Sequence, residues 1–276
     1  MNKSLIKCWL MILCILVGWG WEPVIALALD NQSPSLWTKQ SLHIRDWVQE
    51  GTPSSYLKAR SQMKELAIGF SQADLSTLDV SVQGIRALSN CLVTMEEELN
   101  RVMPQQGDAN RAAIQLTLAF DAVSHSNQPM WVQYEAVFKK DIAKVKGALK
   151  NNKREAVAAS LKELIAHVEL VMPALEVSRQ PGTVQKVKSV LQFFRSEMKK
   201  KGAWNTHRLS EPLKQWENML TPLIHGPEEE VVAVGLTNFP PVIPAAILMG
   251  TVIALVLGYV GWRNYRGSYQ RVRGRI

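Results

Sequence analysis

The sequence predicts an all-α protein, with an irregular antiparallel multi-helix ectodomain of about seven or eight helices and one transmembrane helix. Between residues 29 and 225, apolar residues recur at intervals of three and four, and no segment alternates as a half-buried strand does. Residues 242–262, VIPAAILMGTVIALVLGYVGW, contain no charge. A helix of that length, rising about 1.5 Å per residue, crosses the roughly 30 Å hydrocarbon core of a bilayer. Because no fixed-period repeat occurs, we favour a bundle over a solenoid.

The N-terminus has the parts of a secretory signal peptide. Lys3 and Lys7 supply a positive start, residues 8–19 supply an apolar run, and Ala26-Leu27-Ala28 supplies a cleavage site before Leu29. We therefore expect residues 1–28 to be a signal peptide. An uncleaved N-terminal anchor is the alternative that these residues leave open.

Turn and capping residues divide residues 29–225 into helices. In the first half we expect Ser35 to cap the first helix and Gly51-Thr52-Pro53 to end it. The second helix is expected to begin near Ser54, and a long third helix to cover residues 74–103. Asp108 is expected to cap the fourth helix. The buried face of the third helix is expected to carry apolar residues three and four apart: Leu75, Leu78, Val82, Ile85, Leu88, Leu92, Met95, Leu99 and Val102.

Proline, glycine and asparagine residues divide the second half into helices in the same way. We expect the fifth helix to start at Ser126–Pro129 and Asn151-Asn152 to separate it from the sixth helix, which Met172-Pro173 should kink or end. The seventh helix is expected to begin at Pro181 and to end at Lys199–Gly202. An eighth helix is expected to run from about Glu211 to Ile224. Together these helices make up the predicted extracytoplasmic domain, residues 29–225.

The C-terminal region predicts how the chain sits in a membrane. Residues 226–241 are expected to form a juxtamembrane linker with solvated glutamates, 242–262 the transmembrane helix and 263–276 a basic tail. The tail carries five arginines and no acidic residue. Arginine-rich flanks stay on the cytoplasmic side, so we expect a single-pass protein of the cytoplasmic membrane with its N-terminal domain outside. The tail can also bind anionic lipid headgroups.

Small residues recur every fourth position along the predicted span, at Ala246, Gly250, Ala254 and Gly258. Such a stripe lets helix backbones approach closely in lipid, which makes a homo-oligomer or a contact with a partner helix a hypothesis. Alanine and glycine are common in spans, so chance recurrence is the other interpretation.

The formal net charge of +8 does not indicate nucleic-acid binding. Of the 32 Lys+Arg, two lie in the signal peptide and five in the tail, leaving 25 in residues 29–241, against 23 of the 24 Asp+Glu. The external part is therefore near neutral, and the excess charge reflects topology.

Two of the three cysteines lie in the predicted signal peptide. The third, Cys91, is expected to be a buried small hydrophobe, with an intermolecular disulfide as the alternative. No nucleophile, nucleotide-binding or zinc motif is present, so we predict a non-enzymatic protein without cofactor or metal. Glu163 and His167 stand four residues apart on one predicted helix. We interpret them as a surface ion pair rather than as metal ligands.

Asp121 lies among apolar residues in the segment AFDAV, residues 119–123. A buried carboxylate needs a partner, which Arg111 or a nearby helix end can supply. The functional interpretation is a binding-site carboxylate. We favour the structural one, in which Asp121 hydrogen-bonds to the segment starting at Pro129-Met130-Trp131.

Three stretches of the chain resemble a known family. Residues 116–123, LTLAFDAV, followed by QPMW at 128–131, are similar to the L-x-x-A-x-D-A … P-L-W pattern of the sporulation protein YpjB family, with Met130 in place of leucine. Residues 169–175, ELVMPAL, resemble that family's proline-containing helix end. The resemblance implies a role in sporulation in endospore-forming bacteria, and it implies no catalytic residues.

These observations favour a membrane-anchored interaction or scaffold module that recruits a protein partner outside the cytoplasmic membrane. The alternative from another class is an extracytoplasmic enzyme acting on envelope material, with its site around Asp121, Glu163 and His167. Clustering of these three side chains in one open pocket would favour the enzyme. Dispersed or packed side chains would favour the interaction module.

Overall fold

The computed structural model describes residues 33–151, 153–200, 206–226, 228, 231, 250, 251, 253–260 and 262. Every regular element in these residues is helical, so the predicted all-α class is confirmed. The predicted signal peptide and basic tail lie outside the described residues. The chain divides into two compact units, Met1–Ala233 and Val234–Ile276.

The described part of the first unit contains eight α-helices. They are α1 (Pro34–Glu50), α2 (Pro53–Gln72), α3 (Val82–Asn100), α4 (Gln106–Ser124), α5 (Glu135–Lys150), α6 (Arg154–Ser178), α7 (Pro181–Lys199) and α8 (Thr206–Ile224). Short 3₁₀ turns at Leu75–Thr77 and Met130–Tyr134 precede α3 and α5.

These helices pack as two four-membered rings that follow each other along the chain. In the first ring, α1 packs on α2 and α4, and α3 closes the ring by packing on α2 and α4. In the second, α5 packs on α6 and α8, and α7 closes the ring. The rings meet where α3 and α4 contact α6. Helix α4 is central, and its residues 116–122 are all buried.

Each ring is filled by aromatic and aliphatic side chains. In the first, Trp37, Phe70 and Phe120 bring α1, α2 and α4 together in edge-to-face contacts with ring centroids 5.6–6.0 Å apart. In the second, Phe138 of α5 meets Trp216 of α8 edge to face at 6.5 Å. Such pairs add about 0.5–1.5 kcal/mol beyond the burial of their area. The aromatic side chains therefore bind together helices that are distant in sequence.

The first two helices differ from prediction at their starts. Helix α1 begins at Pro34 after Ser33, so Ser35 is not its cap. It ends at Gly51, whose φ of 68° suits glycine. Helix α2 begins at Pro53, where Thr52 and Ser55 form a reciprocal capping box. Proline fits both starts because the first helical N–H has no partner to lose.

The predicted long helix 74–103 is wrong at both ends. Asp74 accepts a hydrogen bond from Ser76 N and holds a 3₁₀ turn, and Ser81 accepts one from Gly84 N and starts α3. These local caps compete with a continuous helix. Gly84 also lies against α6, where an added Cβ would be 2.9 Å from Glu176 O. Val82 and Val102, predicted to be buried, are 78% and 99% exposed.

Other helix boundaries differ from the predicted ones by a few residues. Helix α4 starts at Gln106, with Asp108 inside its first turn, and α8 starts at Thr206 rather than at Glu211. A 3₁₀ turn and not an α-helix follows Pro129. Asn151 does end α5, and Pro181 and Lys199 bound α7 as predicted.

Helix α6 passes through Pro173 to Ser178, so the predicted end at Met172-Pro173 is wrong. Proline has no N–H, which leaves the carbonyl of Glu169, four residues earlier, without its helical donor. Gln115 of α4 supplies one, because its Nε2 donates to Glu169 O at 3.0 Å. A tertiary contact thus satisfies the group that the proline leaves open.

This contact predicts a coupling between Gln115 and Pro173. We expect Gln115→Met to lower the free energy of unfolding by about 1 kcal/mol, because it removes a donor from a part-buried carbonyl. In a Pro173→Ala background the N–H of residue 173 can donate to Glu169 O, so Gln115→Met should hardly change the free energy of unfolding. Urea unfolding of the four variants of this double-mutant cycle measures the difference. Equal losses in both backgrounds would contradict the compensation.

Two residues of the predicted linker, Glu228 and Val231, have partners or burial in the described part of the chain. Gln180 N donates to Glu228 Oε2 at 2.8 Å, and Val231 is fully buried. Arg179 donates to the terminal carbonyls Leu223 O and Ile224 O and lies 5.0 Å over the Trp131 ring. The remaining linker residues, other than Gly226, are outside the described part.

In the second unit, Gly250, Thr251, residues 253–260 and Trp262 are helical. The rest of the predicted span 242–262 is outside the described residues. Within the residues that are described, no helix combines the length and apolar character needed to cross a bilayer.

Candidate interaction face

Exposed apolar side chains are concentrated in one part of the helical domain. Among its described residues, the large apolar side chains that are exposed lie on α2, on α3 and just after α3: Leu57, Ile68, Val82, Val93, Val102 and Met103. Soluble surfaces normally carry such residues singly, and a cluster marks a site of interaction. Helices α1 and α4–α8 contribute none in the described residues.

Helices α2 and α3 enclose an open groove of about 490 Å³. Its lining from α2 is Arg60, Met63, Lys64, Ala67, Ile68 and Ser71, and its lining from α3 is Glu96, Leu99 and Asn100. Met63 and Leu99 are buried and form an apolar floor. Arg60 spans the groove, because its Nε donates to Leu99 O at 2.6 Å. The groove is therefore apolar inside and polar at its rim.

The two walls of the groove carry opposite charge. Arg60 and Lys64 lie on the α2 wall, and Glu96 lies on the α3 wall. Neither Lys64 nor Glu96 has an ion-pair partner among the described residues, and both are exposed. We call this surface the α2–α3 face, defined by Leu57, Arg60, Lys64, Ile68, Val82, Val93, Glu96 and Asn100.

The predicted acid Asp121 is buried near the end of α4, 1% exposed. Met130 N donates to its Oδ2 at 2.5 Å, and His125 Nδ1 lies 2.7 Å from its Oδ1. Arg111, the other partner considered, instead pairs with Glu169 at 3.1 Å. The carboxylate therefore ties the end of α4 to the turn that leads into α5, and its structural role stays a prediction with a test given below.

Glu163 and His167 lie on α6, but they do not pair with each other as expected. Glu163 pairs with Lys144 of α5 at 2.5 Å, and His167 Nδ1 lies 2.6 Å from Oδ2 of the buried Asp141. The hydrogen bond from Lys144 holds the pKa of Glu163 below its ordinary value. Four residues along a helix is close enough for a pair, but α5 supplies a nearer charge to each side chain.

The three residues proposed for an enzyme site are divided. Asp121 belongs to the His125–Met130 contact, while Glu163 and His167 contact α5. None of them lines the α2–α3 groove. No group of three potential metal ligands occurs in the described residues. Cys91 is buried, and burial raises the pKa of its thiol to about 12, so it is a neutral thiol near neutral pH.

The small-residue stripe is covered only in part. Gly250, Ala254 and Gly258 are helical, whereas Ala246 lies outside the described residues. A Cβ added at Gly250 or Gly258 would meet nothing within 4 Å. These positions thus have room for another helix, and association through them stays a prediction.

Sequence reasoning missed the α2–α3 face. Val82 and Val93 stand 11 residues apart, about three helical turns, and share a side of α3 that lies roughly 100–120° around the helix from the buried Leu88 and Leu92. On α2, Leu57 and Ile68 have the same spacing. The signal available in the sequence was this second apolar pair on each helix, but of the four residues only Val82 is included in the predicted buried face.

The chain matches a model of a known protein family. A family model described as Sporulation protein YpjB (SpoYpjB) matches residues 43–274, well over half of the chain. No similar curated protein and no similar solved structure was found. The match includes α2, α3 and the whole apolar run 242–262.

Proposed function

The chain belongs to the sporulation protein YpjB family, and we propose that it serves sporulation as a membrane-anchored interaction module. In this proposal the helical domain lies outside the cytoplasmic membrane and binds a protein partner through the α2–α3 face. The module performs no chemistry of its own and holds its partner at the membrane surface.

The sequence at both ends supports the anchoring. Residues 242–262 are apolar and uncharged, and the five arginines that follow favour a cytoplasmic C-terminus. The family match extends through this run to residue 274, so the apolar segment is part of the sequence that defines the family.

The observation that carries the proposal is the concentration of exposed apolar side chains on the α2–α3 face. Leu57 and Ile68 are 63% and 45% exposed, and Val93 is 54% exposed. Leaving such side chains in water is unfavourable by about 25 cal/mol per Å² of apolar area, and a partner that covers them recovers this free energy. The groove beside them accommodates protruding side chains of that partner.

The enzyme alternative rests on one contact. Buried Asp141 holds Nδ1 of the partly exposed His167, an arrangement that orients an imidazole as a general base. In the described residues, however, Nε2 of His167 makes no hydrogen bond to a hydroxyl or thiol that it could activate. The interaction module therefore has the better support.

Crosslinking in sporulating cells tests the interaction. With a photo-crosslinking amino acid at Ile68, we expect the intact chain to yield a specific crosslinked product in the membrane fraction. The matched control places the same amino acid at Lys214, an exposed position on α8 in the second ring. Equal labelling at both positions, or no product at Ile68, would contradict the proposal.

A further inference from the structure

We propose that the partner at the α2–α3 face is a second copy of this chain, which pairs with the first about a two-fold axis. The inference rests on the proposed function and specifies its partner. In such a pair, α2 of one copy lies over α3 of the other, so that each groove is covered by the partner's face.

Charge complementarity is the first argument. In a two-fold contact, residue i meets residue j and residue j meets residue i. Lys64 and Glu96 line opposite walls of one groove, and neither has an ion pair within the described residues. A two-fold axis that lies in the interface and runs along the groove places Lys64 of each copy over Glu96 of the other. Both charges are then paired, which a face of one sign could not achieve with itself.

The apolar side chains are also self-complementary. Ile68 follows Lys64 by about one helical turn on α2, and Val93 precedes Glu96 by about one turn on α3; both apolar side chains are exposed. Helices α2 and α3 run antiparallel along the groove, since Arg60 contacts Leu99 and Lys64 faces Glu96, so placing Lys64 over Glu96 also places Ile68 of each copy over Val93 of the other.

The area is sufficient for a specific contact. A helix of 19 or 20 residues, such as α3 or α2, is about 30 Å long. Two helices about 10 Å apart, each about 10 Å wide, present a layer of roughly 600 Å². Two such layers bury about 1,200 Å², the lower end of the range for stable protein interfaces.

Charge reversal tests the pairing in the full-length chain, purified in detergent with a photo-crosslinking amino acid at Val93. Wild type is expected to give a product with twice the mass of the chain. Lys64→Glu alone sets two carboxylates opposite each other at both contacts, and Glu96→Lys alone sets two ammonium groups opposite each other. Each single reversal should lower the yield of this product about tenfold, because like charges face each other twice.

The mixture of the two variants is the decisive sample. One chain then carries two glutamates and the other two lysines at these positions, so that both contacts are attractive and the yield should return to near the wild-type level. The double variant Lys64→Glu/Glu96→Lys should also recover the product. Lys214→Glu, on α8, is the matched control and should leave the yield unchanged.

The outcomes separate this inference from the proposed function. A yield that is insensitive to Lys64→Glu, or a mixture that does not recover, overturns the two-fold pairing. If Ile68 crosslinks in cells only to a different protein, the interaction function stands and the second copy is excluded. If neither position gives a product, both proposals fail. Circular dichroism of each variant verifies that the helices are intact.

Discussion

Replacing Trp37 by alanine is expected to lower the free energy of unfolding by about 3–5 kcal/mol, the usual loss for a large aromatic side chain in a core. Trp37 is fully buried, and its ring contacts both Phe70 of α2 and Phe120 of α4. Its loss leaves a cavity where three helices of the first ring meet. Since whole domains are stable by only about 5–15 kcal/mol, one substitution removes a large part of the total.

Urea unfolding followed by circular dichroism measures this loss, because fluorescence would change with the tryptophan itself. Trp47→Ala is the matched control: the residue lies on the same helix, is only partly buried and contacts His43. Trp47→Ala should lower the free energy of unfolding clearly less than Trp37→Ala does. Trp37→Phe should also lose less, because Trp37 Nε1 has no hydrogen-bond partner among the described residues. Equal midpoints for Trp37→Ala and wild type would contradict the assignment of Trp37 to the core.

Asp121→Ala is expected to have the next largest effect, with a loss of about 2 kcal/mol. Hydrogen bonds to charged groups contribute about 1.5–3 kcal/mol each, and the carboxylate accepts one from Met130 N. The contact with His125 adds little, because that side chain is 56% exposed. Without the carboxylate, the N–H at the start of the 3₁₀ turn loses its acceptor, and the connection between α4 and α5 loosens.

Asp121→Asn separates the hydrogen bond from the charge. The amide keeps an oxygen that can accept from Met130 N, so the loss should be well below that of Asp121→Ala. Asp46→Ala is the control at an exposed aspartate of α1, where only the neighbouring Arg45 is paired. The same urea experiment compares the three. If Asp121→Ala unfolded at the wild-type midpoint, the acid would have no structural role, and the binding-site interpretation would regain weight.

The position of α2 explains why the interaction face forms there. Within the first ring α2 packs mainly on α1 and α3, and it lies away from the junction of α3 and α4 with α6. Its outer side is therefore not covered by another helix of the domain. In the second ring, by contrast, no large apolar side chain among the described residues is exposed. The two rings therefore differ in the apolar surface that their described residues expose.

Some features of the fold followed from local signals alone. The all-α class came from the three- and four-residue spacing of apolar side chains, and the bounds of α7 from Pro181 and Lys199. Leu88, Leu92, Met95 and Leu99 are buried, as their spacing predicted. These signals work because helix geometry fixes which residues share a face, whatever the helix packs against.

Other features depended on partners that are distant in sequence. Helix α6 continues through Pro173 because Gln115 of α4 supplies the missing donor, and Glu163 pairs with Lys144 because α5 lies beside α6. The alternation of apolar and polar residues cannot say which of two apolar stripes is buried. Val82 and Leu88 look equivalent in the sequence, and only the packing of α3 on α4 and α6 leaves the first in water.

By itself, the sequence determined that this chain is a set of amphipathic helices with an apolar, arginine-flanked C-terminal run, because helix period and transfer free energy are local properties. Only the tertiary structure decided the two rings, the partners of Glu163 and His167, and the exposed α2–α3 face. Those depend on which surfaces meet, and that choice is made by packing among residues far apart in the chain.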